Sequence, residues 1–99
     1  MRLKVSQAAA NDLEGIWLYT LEHWSLEQAD RYLGLLMEGS ELIRTDPACG
    51  RDYSHVREGY WCLKVGAHVI FYRLNEAHDA IEVVRVLHRR MDLETRLSP

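Results

Sequence analysis

The sequence predicts an α+β fold in which an N-terminal helical hairpin packs on a small antiparallel β-sheet, with a short C-terminal segment after the last strand. Apolar residues recur at helical spacing in the first half of the chain and at alternating spacing after Gly50. The connections between the later segments are short, so adjacent strands are expected to run antiparallel. The chain has 99 residues, a usual size for one domain, and we expect residues 1–99 to form a single domain.

The first two elements are a short strand and a long helix. Residues 2–5 alternate polar and apolar side chains, and Ser6 is a favourable N-cap for the helix that follows. Five apolar residues then recur with helical periodicity: Leu13, Ile16, Trp17, Leu21 and Trp24. This pattern predicts an amphipathic helix of about 16–18 residues. We expect Trp17 and Trp24 to pack in the core, as large aromatic side chains usually do.

A second helix follows almost at once. Ser25 precedes Gln28 by three residues, which is the pattern of a capping box, and an apolar stripe with helical spacing continues from there. Asp46 and Pro47 end this helix, because the residue before a proline disfavours helical backbone angles. Two helices joined this closely must lie antiparallel, so residues 6–46 are expected to form the helical hairpin.

Four further strands are predicted in the second half of the chain, at residues 55–57, 60–65, 69–74 and 80–87. Glycines and a polar cluster at residues 75–79 supply the turns between them. The strand at residues 2–5 is expected to join the same sheet. Residues 91–98 are compatible with a short helix or with a loose tail, and the sequence leaves these two alternatives open.

The composition argues against several classes of function. The chain has 12 Lys and Arg against 15 Asp and Glu, a net charge of −3. This balance argues against direct DNA binding by the chain alone, since such binding depends on neutralising phosphates. There is no run of about 18 apolar residues that could span a membrane, and no secretory signal is recognisable, so we expect no membrane partner and a cytoplasmic location.

Cofactor and metal sites also lack a sequence signature. The six glycines are dispersed, and none belongs to a phosphate-binding loop. The five histidines and two cysteines do not occur in the close pairs that zinc sites use. We therefore expect neither a cofactor nor a metal.

The segment from Arg85 to Asp92 is the most suggestive of function. It places one imidazole, that of His88, and three guanidinium groups within six residues. Such a group could bind an anion or cleave RNA, with arginine stabilising phosphate charge and histidine moving protons. It could equally be a solvated strand end whose charges pair with nearby carboxylates. Strand parity places Arg85 on the face of Val83 and Leu87, where it must find a partner or reach the sheet edge, and places His88 on the opposite face.

Sequence fragments spread along nearly the whole chain carry a family resemblance. In chain order they are ANDLEGIWLYT at 10–20, WSLEQA at 24–29 with Tyr32 following, Pro47, Gly50 with Arg51, VREGY at 56–60, HVIFYR at 68–73 and IEVVRVLHRRMD at 81–92. Taken together, and above all through the last fragment, they resemble the ParE branch of the RelE/ParE superfamily of small bacterial toxins. The resemblance implies the fold deduced above.

The resemblance also implies the toxin of a type II toxin–antitoxin pair. ParE-like toxins are held inactive by a tightly bound ParD-type antitoxin and, when free, are associated with poisoning of DNA gyrase and growth arrest. Such a toxin would act by binding and would have no catalytic centre of its own. The candidates for contact with gyrase are His88, Arg89, Arg90 and Met91. The candidates for contact with the antitoxin are Trp17, Leu21, Tyr32, Leu36, Arg73 and Arg85.

RelE-like relatives imply an alternative function, the ribosome-dependent cleavage of mRNA. In that case Arg57 and Arg85 would stabilise phosphate charge and His88 would be the general acid or base. Two features argue against it and favour a non-enzymatic function: the acidic net charge, and the apolar Val69 and Phe71 where a nuclease-type arginine is expected. A third possibility is a family member that has lost toxicity and survives as an antitoxin-bound partner.

Overall fold

The computed structural model describes residues 1–97. The strands are β1 (Arg2–Val5), β2 (Arg51–Asp52), β3 (Trp61–Val65), β4 (His68–Asn75) and β5 (Ala80–His88). The helices are α1 (Gln7–His23), α2 (Leu26–Thr45) and α3 (Leu93–Leu97), with short 3₁₀ turns at Pro47–Cys49 and Glu76–His78. α3 confirms the helical alternative for the segment predicted at 91–98. Ser98, and the Pro99 end of the predicted domain, lie outside the described residues.

The strands form one sheet in the order β1-β5-β4-β3-β2. All neighbours are antiparallel except β1 and β5, which run parallel with Arg2 opposite Ala80. The helical hairpin and three strands intervene between β1 and β5, so no tight turn sets their relative direction. The predicted α+β fold, with a helical hairpin on a small sheet that includes the first strand, is confirmed, but the sheet is mixed and not wholly antiparallel because β1 and β5 run parallel.

Both predicted helix starts are confirmed by their hydrogen bonds. The Ser6 hydroxyl oxygen accepts a hydrogen bond from the Ala9 amide at 3.0 Å, and the Ser25 hydroxyl oxygen accepts one from the Gln28 amide at 3.1 Å. Each bond satisfies an amide that has no partner within the helix. None of the helices within residues 1–97 combines the length and the apolar character needed to cross a bilayer.

The predicted strand at residues 55–57 is wrong, because residues 53–60 form successive turns. The Asp52 carboxylate accepts a hydrogen bond from the Ser54 amide at 2.7 Å, and later amides donate to carbonyls three or four residues back. These local bonds occupy backbone groups that a strand would need for its ladder. The strand that pairs with the outer edge of β3 is β2, which spans two residues and is too short to show a period.

The sheet is covered on both faces. On the helix face, α1 and α2 pack on a buried cluster that contains Ala9, Leu36, Ile43, Ile70, Tyr72, Ile81, Val83 and Val86. On the opposite face, residues 53–60 and α3 contribute to a second cluster that contains Tyr60, Cys62, Val69, Phe71, Leu87 and Leu97. β3, β4 and β5 therefore each carry apolar side chains that pack on both faces of the sheet.

The prediction that Trp24 packs in the core is wrong, since this side chain is 75% exposed. α1 ends at His23, and Trp24 follows it with non-helical backbone angles of φ −131° and ψ −90°. Trp24 has therefore left the apolar stripe of the helix. Trp17 is partly buried between the two helices, where its indole N–H donates to the Asp30 carboxylate at 3.0 Å.

A β-bulge interrupts the pairing of β5 with β4. Arg85 pairs with Phe71 of β4. Val83 pairs with the next residue of β4, Tyr72, so Val84 is an additional residue in β5. An additional residue of this kind bends the strand and shifts its alternation by one position.

The bulge reverses the predicted alternation of side chains at the end of β5. Val86 lies in the helix-face cluster and Leu87 in the opposite-face cluster, although the sequence predicted the other arrangement. His88 follows the same shift and lies beside His68 on the helix face. The prediction of the face on which His88 lies was wrong, because one extra residue inverts a period of two.

Candidate functional site

A cleft of about 850 Å³ opens on the helix face between α1 and the chain that follows β5. We call it the hairpin cleft. Ile16, Tyr19 and Trp24 line it on the side of the helical hairpin, and Val86 and Met91 line it on the other side. Tyr19 is 60% exposed and Trp24 is 75% exposed. A cleft of this size with aromatic and apolar walls suits the apolar side chains of a partner.

Two histidines and a tyrosine from three elements meet in the hairpin cleft. His68 begins β4 and pairs across the sheet with His88 at the end of β5, with ring centroids 5.2 Å apart. The Tyr32 hydroxyl lies 2.5 Å from His68 Nδ1 and accepts a hydrogen bond from the Ala67 amide at 3.0 Å. Gly66 has a φ of 57°, and a Cβ atom there would come within 2.9 Å of the Tyr32 ring. Tyr32 therefore anchors the turn between β3 and β4.

The imidazole of His68 is held in its neutral form. Burial lowers its pKa to about 4, and the nearby His88 acts in the same direction. At pH 7 the ring therefore carries no charge. It contributes a hydrogen-bonding group to the cleft rather than a cation.

The partner that the sequence requires for Arg85 is Asp12 of α1. The Arg85 Nε and Nη2 atoms donate to the two carboxylate oxygens at 2.8 and 3.0 Å. Asp12 Oδ2 also accepts the Val86 amide at 2.9 Å. Hydrogen bonding to this carboxylate raises the pKa of Arg85 above its ordinary value. The sequence left open whether Arg85 finds a charged partner or reaches the edge of the sheet. The structure shows an ion pair with Asp12.

The turn after β5, residues 88–91, displays the side chains predicted to contact gyrase. The Arg90 amide donates to His88 Nδ1 at 3.1 Å, and the Met91 amide donates to the His88 carbonyl at 3.0 Å. The Arg89 amide donates to a carbonyl of the β3–β4 turn at 2.9 Å. Arg89, Arg90 and Met91 are exposed. A backbone held by three hydrogen bonds thus presents two guanidinium groups and a thioether beside the hairpin cleft.

The three residues of the nuclease alternative are not brought together. Arg57 lies on the opposite face, where its Nη1 donates to the Leu97 carbonyl at 3.2 Å and its guanidinium lies 5.4 Å from the centre of the Tyr60 ring. The Arg85 guanidinium binds Asp12 of α1 and the His88 ring lies beside that of His68, so both groups lie on the helix side of the sheet. The sheet itself separates Arg57 from the other two.

The six residues predicted to contact the antitoxin do not form one surface. Tyr32 and Arg85 line the hairpin cleft. Leu36 is fully buried in the helix-face cluster, so the prediction that it contacts a partner is not supported. Arg73 pairs with Glu82 at 3.0 Å, on the other side of the bulge from the cleft. The remaining two, Trp17 and Leu21, are partly buried.

Sequence reasoning missed three residues of this site: Asp12, Tyr19 and His68. Tyr19 follows Ile16 by three positions, and this helical spacing could have placed both on one flank of α1. Asp12 and His68 carry no local signal, because contacts between distant parts of the chain bring them into the cleft. Within residues 1–97, no group of three or more His, Cys, Asp or Glu side chains is placed to hold a metal ion.

The fold is shared with a solved toxin–antitoxin structure. The chain matches a chain of the structure titled "Chromosomal ParDE TA system from P. aeruginosa" with a TM-score of 0.77 and 19% identity. The match covers 89% of this chain and 95% of that chain. The predicted RelE/ParE-like fold is therefore confirmed.

Sequence similarity identifies the family within that fold. Residues 3–93 match the family described as "ParE toxin of type II toxin-antitoxin system, parDE". The chain is 40% identical over 96 residues to Toxin ParE1 of Mycobacterium tuberculosis, covering 97% of each chain. It is 35% identical over 95 residues to Toxin ParE1 of Caulobacter vibrioides, covering 96% of each chain. The chain belongs to the ParE toxin family of type II toxin–antitoxin systems.

Proposed function

We propose that this toxin inhibits DNA gyrase by direct contact through the 88–91 turn, and that a ParD-type antitoxin neutralises it by binding in the hairpin cleft. The observation that carries the proposal is the position of an exposed turn, rich in arginine and containing methionine, beside a cleft with aromatic walls. Arginine, methionine and aromatic residues are enriched at protein–protein interfaces. On this proposal the toxin acts in the cytoplasm, where gyrase and its DNA are found.

The shape of the cleft supports an antitoxin segment that folds as it binds. An apolar side chain of such a segment would pack between Tyr19 and Trp24, both of which are largely exposed in the free toxin. Met91 lines the cleft and is also part of the 88–91 turn. A segment seated in the cleft would therefore cover part of the surface proposed for gyrase, which explains neutralisation by steric exclusion.

Three features support inhibition by binding over RNA cleavage. Arg57 lies on the other face of the sheet from His88. The guanidinium of Arg85 already donates two hydrogen bonds to the Asp12 carboxylate. The net charge of −3 does not favour docking on ribosomal RNA, since such binding depends on neutralising phosphates.

A DNA-cleavage assay with gyrase tests the proposed target. Purified gyrase, ATP and plasmid DNA would be incubated with toxin freed from its antitoxin. We expect cleaved DNA to accumulate with toxin and to disappear when antitoxin is added. Unchanged gyrase activity from a toxin that still arrests growth would contradict the proposal. RNA cleavage on translating ribosomes, with His88→Ala as the variant, would then be measured.

The antitoxin site is tested by a pair of substitutions on the helical hairpin. Trp24→Ala removes an exposed aromatic side chain from the cleft wall, and we expect it to weaken antitoxin binding by about thirtyfold, the effect of losing an aromatic anchor worth about 2 kcal/mol. Leu18→Ala is the matched control, because Leu18 lies on α1, is 42% exposed and does not line the cleft. Equal affinities for both variants, measured by calorimetry, would place the antitoxin elsewhere.

A further inference from the structure

The edge of β5 loses its strand partner after Val83, where β1 ends. Ser6 continues the pairing: its amide donates to the Val83 carbonyl at 3.0 Å and its hydroxyl to the Val84 carbonyl at 2.9 Å. Further along α1, the Asp12 carboxylate accepts the Val86 amide at 2.9 Å. Two side chains at the start of the helical hairpin thus replace a strand along this edge, where exposed backbone groups would otherwise lack partners.

Asp12 contacts β5 at the bulge. Its carboxylate binds the side chain of Arg85 and the backbone amide of Val86, the two residues that follow the additional Val84. The Asp12 side chain is only 16% exposed, so these bonds form largely out of water. Hydrogen bonds to an ionised carboxylate are about twice as strong as neutral ones. The carboxylate therefore stabilises the irregular segment of the strand in particular.

The bulge decides which way the 88–91 turn points. In a regular strand His88 would lie on the opposite face, since it is five positions after Val83 and the period is two. With the additional residue it lies on the helix face, with its ring 5.2 Å from that of His68. His88 Nδ1 then accepts the Arg90 amide at 3.1 Å, which sets the conformation of the turn.

We propose that Asp12 is a positioning residue for the 88–91 turn. Its carboxylate holds the bulge through Arg85 and Val86. The bulge keeps His88 on the helix face and so fixes the direction in which the turn presents its two arginines. The expected effect on gyrase rests on the function proposed above, whereas the effect on the turn does not.

The test uses two substitutions of Asp12 and one control. Asp12→Ala removes every acceptor, while Asp12→Asn keeps the size of the side chain and one oxygen that can still accept the Val86 amide. Glu82→Gln is the control, because Glu82 lies on the same strand before the bulge and also binds an arginine, Arg73, at 3.0 Å. NMR then measures two signals: the cross-relaxation between the rings of His68 and His88, and the hydrogen exchange of the Arg90 amide.

We expect Asp12→Ala to abolish the His68–His88 contact and to speed exchange of the Arg90 amide at least about tenfold, with a smaller effect for Asp12→Asn. Glu82→Gln should leave both signals as in the wild type, even where it lowers the melting temperature. An unchanged ring contact in both Asp12 variants would overturn the proposal. If Asp12→Ala does not fold, the two NMR signals are compared between Asp12→Asn and Glu82→Gln. Equal signals in these two variants would overturn the proposal.

The gyrase assay adds a functional measurement. At temperatures where every variant is folded, a loss of stability alone would not change the amount of cleaved DNA. We expect toxin-dependent DNA cleavage to fall about tenfold or more for Asp12→Ala, to recover in part for Asp12→Asn, and to stay unchanged for Glu82→Gln. The Asp12 variants could lose the His68–His88 contact and still cause as much DNA cleavage as the wild type. That result would contradict the link between the direction of the 88–91 turn and gyrase inhibition. A wild-type toxin without effect on gyrase would refute the proposed function, while the NMR comparison would still decide the role of Asp12.

Discussion

The two faces of the sheet are covered by different kinds of chain, and they carry different features. Two long helices with serine N-caps cover the helix face and leave the hairpin cleft at one end. Turns at residues 53–60 and the five-residue α3 cover the opposite face, with Leu97 buried and the Arg57 guanidinium bound to its carbonyl. The helix face thus carries both a buried cluster and the hairpin cleft, whereas the chain on the opposite face packs on a second buried cluster.

The largest effect is expected on the helix face, from Leu36→Ala. Leu36 is fully buried, so its truncation leaves a cavity and should lower the free energy of unfolding by about 2–5 kcal/mol, measured by urea denaturation. Leu42→Ala is the matched control on the same helix, because Leu42 is 49% exposed and surface truncations stay within about 0.5 kcal/mol. Equal losses for the two variants would mean that α2 does not pack on the sheet through Leu36.

The next effect is a loss of stability on the helix face in mild acid. The pKa of His68 is about 4 in the fold and 6.5 for an ordinary histidine, so between these two pH values the unfolded chain binds a proton and the folded chain does not. The free energy of unfolding should therefore fall as the pH drops from 6.5 to 4. At about 1.4 kcal/mol per pKa unit the full shift would correspond to about 3 kcal/mol, and screening of the partly exposed ring reduces it to on the order of 2 kcal/mol.

Replacing the histidine isolates this contribution from that of the carboxylates. His68→Gln should remove it, so the difference in stability between pH 7 and pH 4 becomes smaller than in the wild type. His55→Gln is the control, since His55 is exposed in the turns of the opposite face. A pH dependence that His68→Gln leaves unchanged would show that the imidazole is not shielded from protonation by the fold.

The smallest effect is expected on the opposite face, from Leu97→Ala. Leu97 is 4% exposed, but it lies in a short terminal helix that can shift to fill the space, so the loss should be about 1–2 kcal/mol. Gyrase inhibition should persist at protein concentrations and temperatures where the variant is folded. A folded Leu97→Ala toxin without activity would show that the opposite face contributes to the target contact.

Local patterns in the sequence account for the regular parts of the molecule. Ser6 and Ser25 marked the helix starts because capping is decided within four residues. The apolar position of Arg85 required a partner, but the choice of Asp12 depends on how α1 crosses the sheet, 73 positions away in the chain. The sequence gives no sign that Val84 is the additional residue of a bulge, because a bulge is defined by the pairing of two strands.

The errors concern residues at which a regular pattern stops. Trp24 continues the helical spacing in sequence, but the helix ends at His23 and the side chain leaves the stripe. Residues 55–57 lost their predicted strand to local hydrogen bonds that begin at Asp52. At Trp24 the helical period was correct and only the end of the helix was not, since ends depend on competing local bonds. At residues 55–57 the short alternation did not correspond to a strand at all.

The most direct measurement compares the two faces in one gyrase DNA-cleavage assay. The double variant Arg89→Glu/Arg90→Glu reverses the charge of the 88–91 turn beside the cleft, and Arg57→Gln removes a cation from the opposite face. We predict that wild type and Arg57→Gln produce cleaved DNA that antitoxin suppresses. The double variant should produce none while still binding the antitoxin. Full cleavage by the double variant, or a loss of cleavage confined to Arg57→Gln, would contradict a gyrase contact on the helix face.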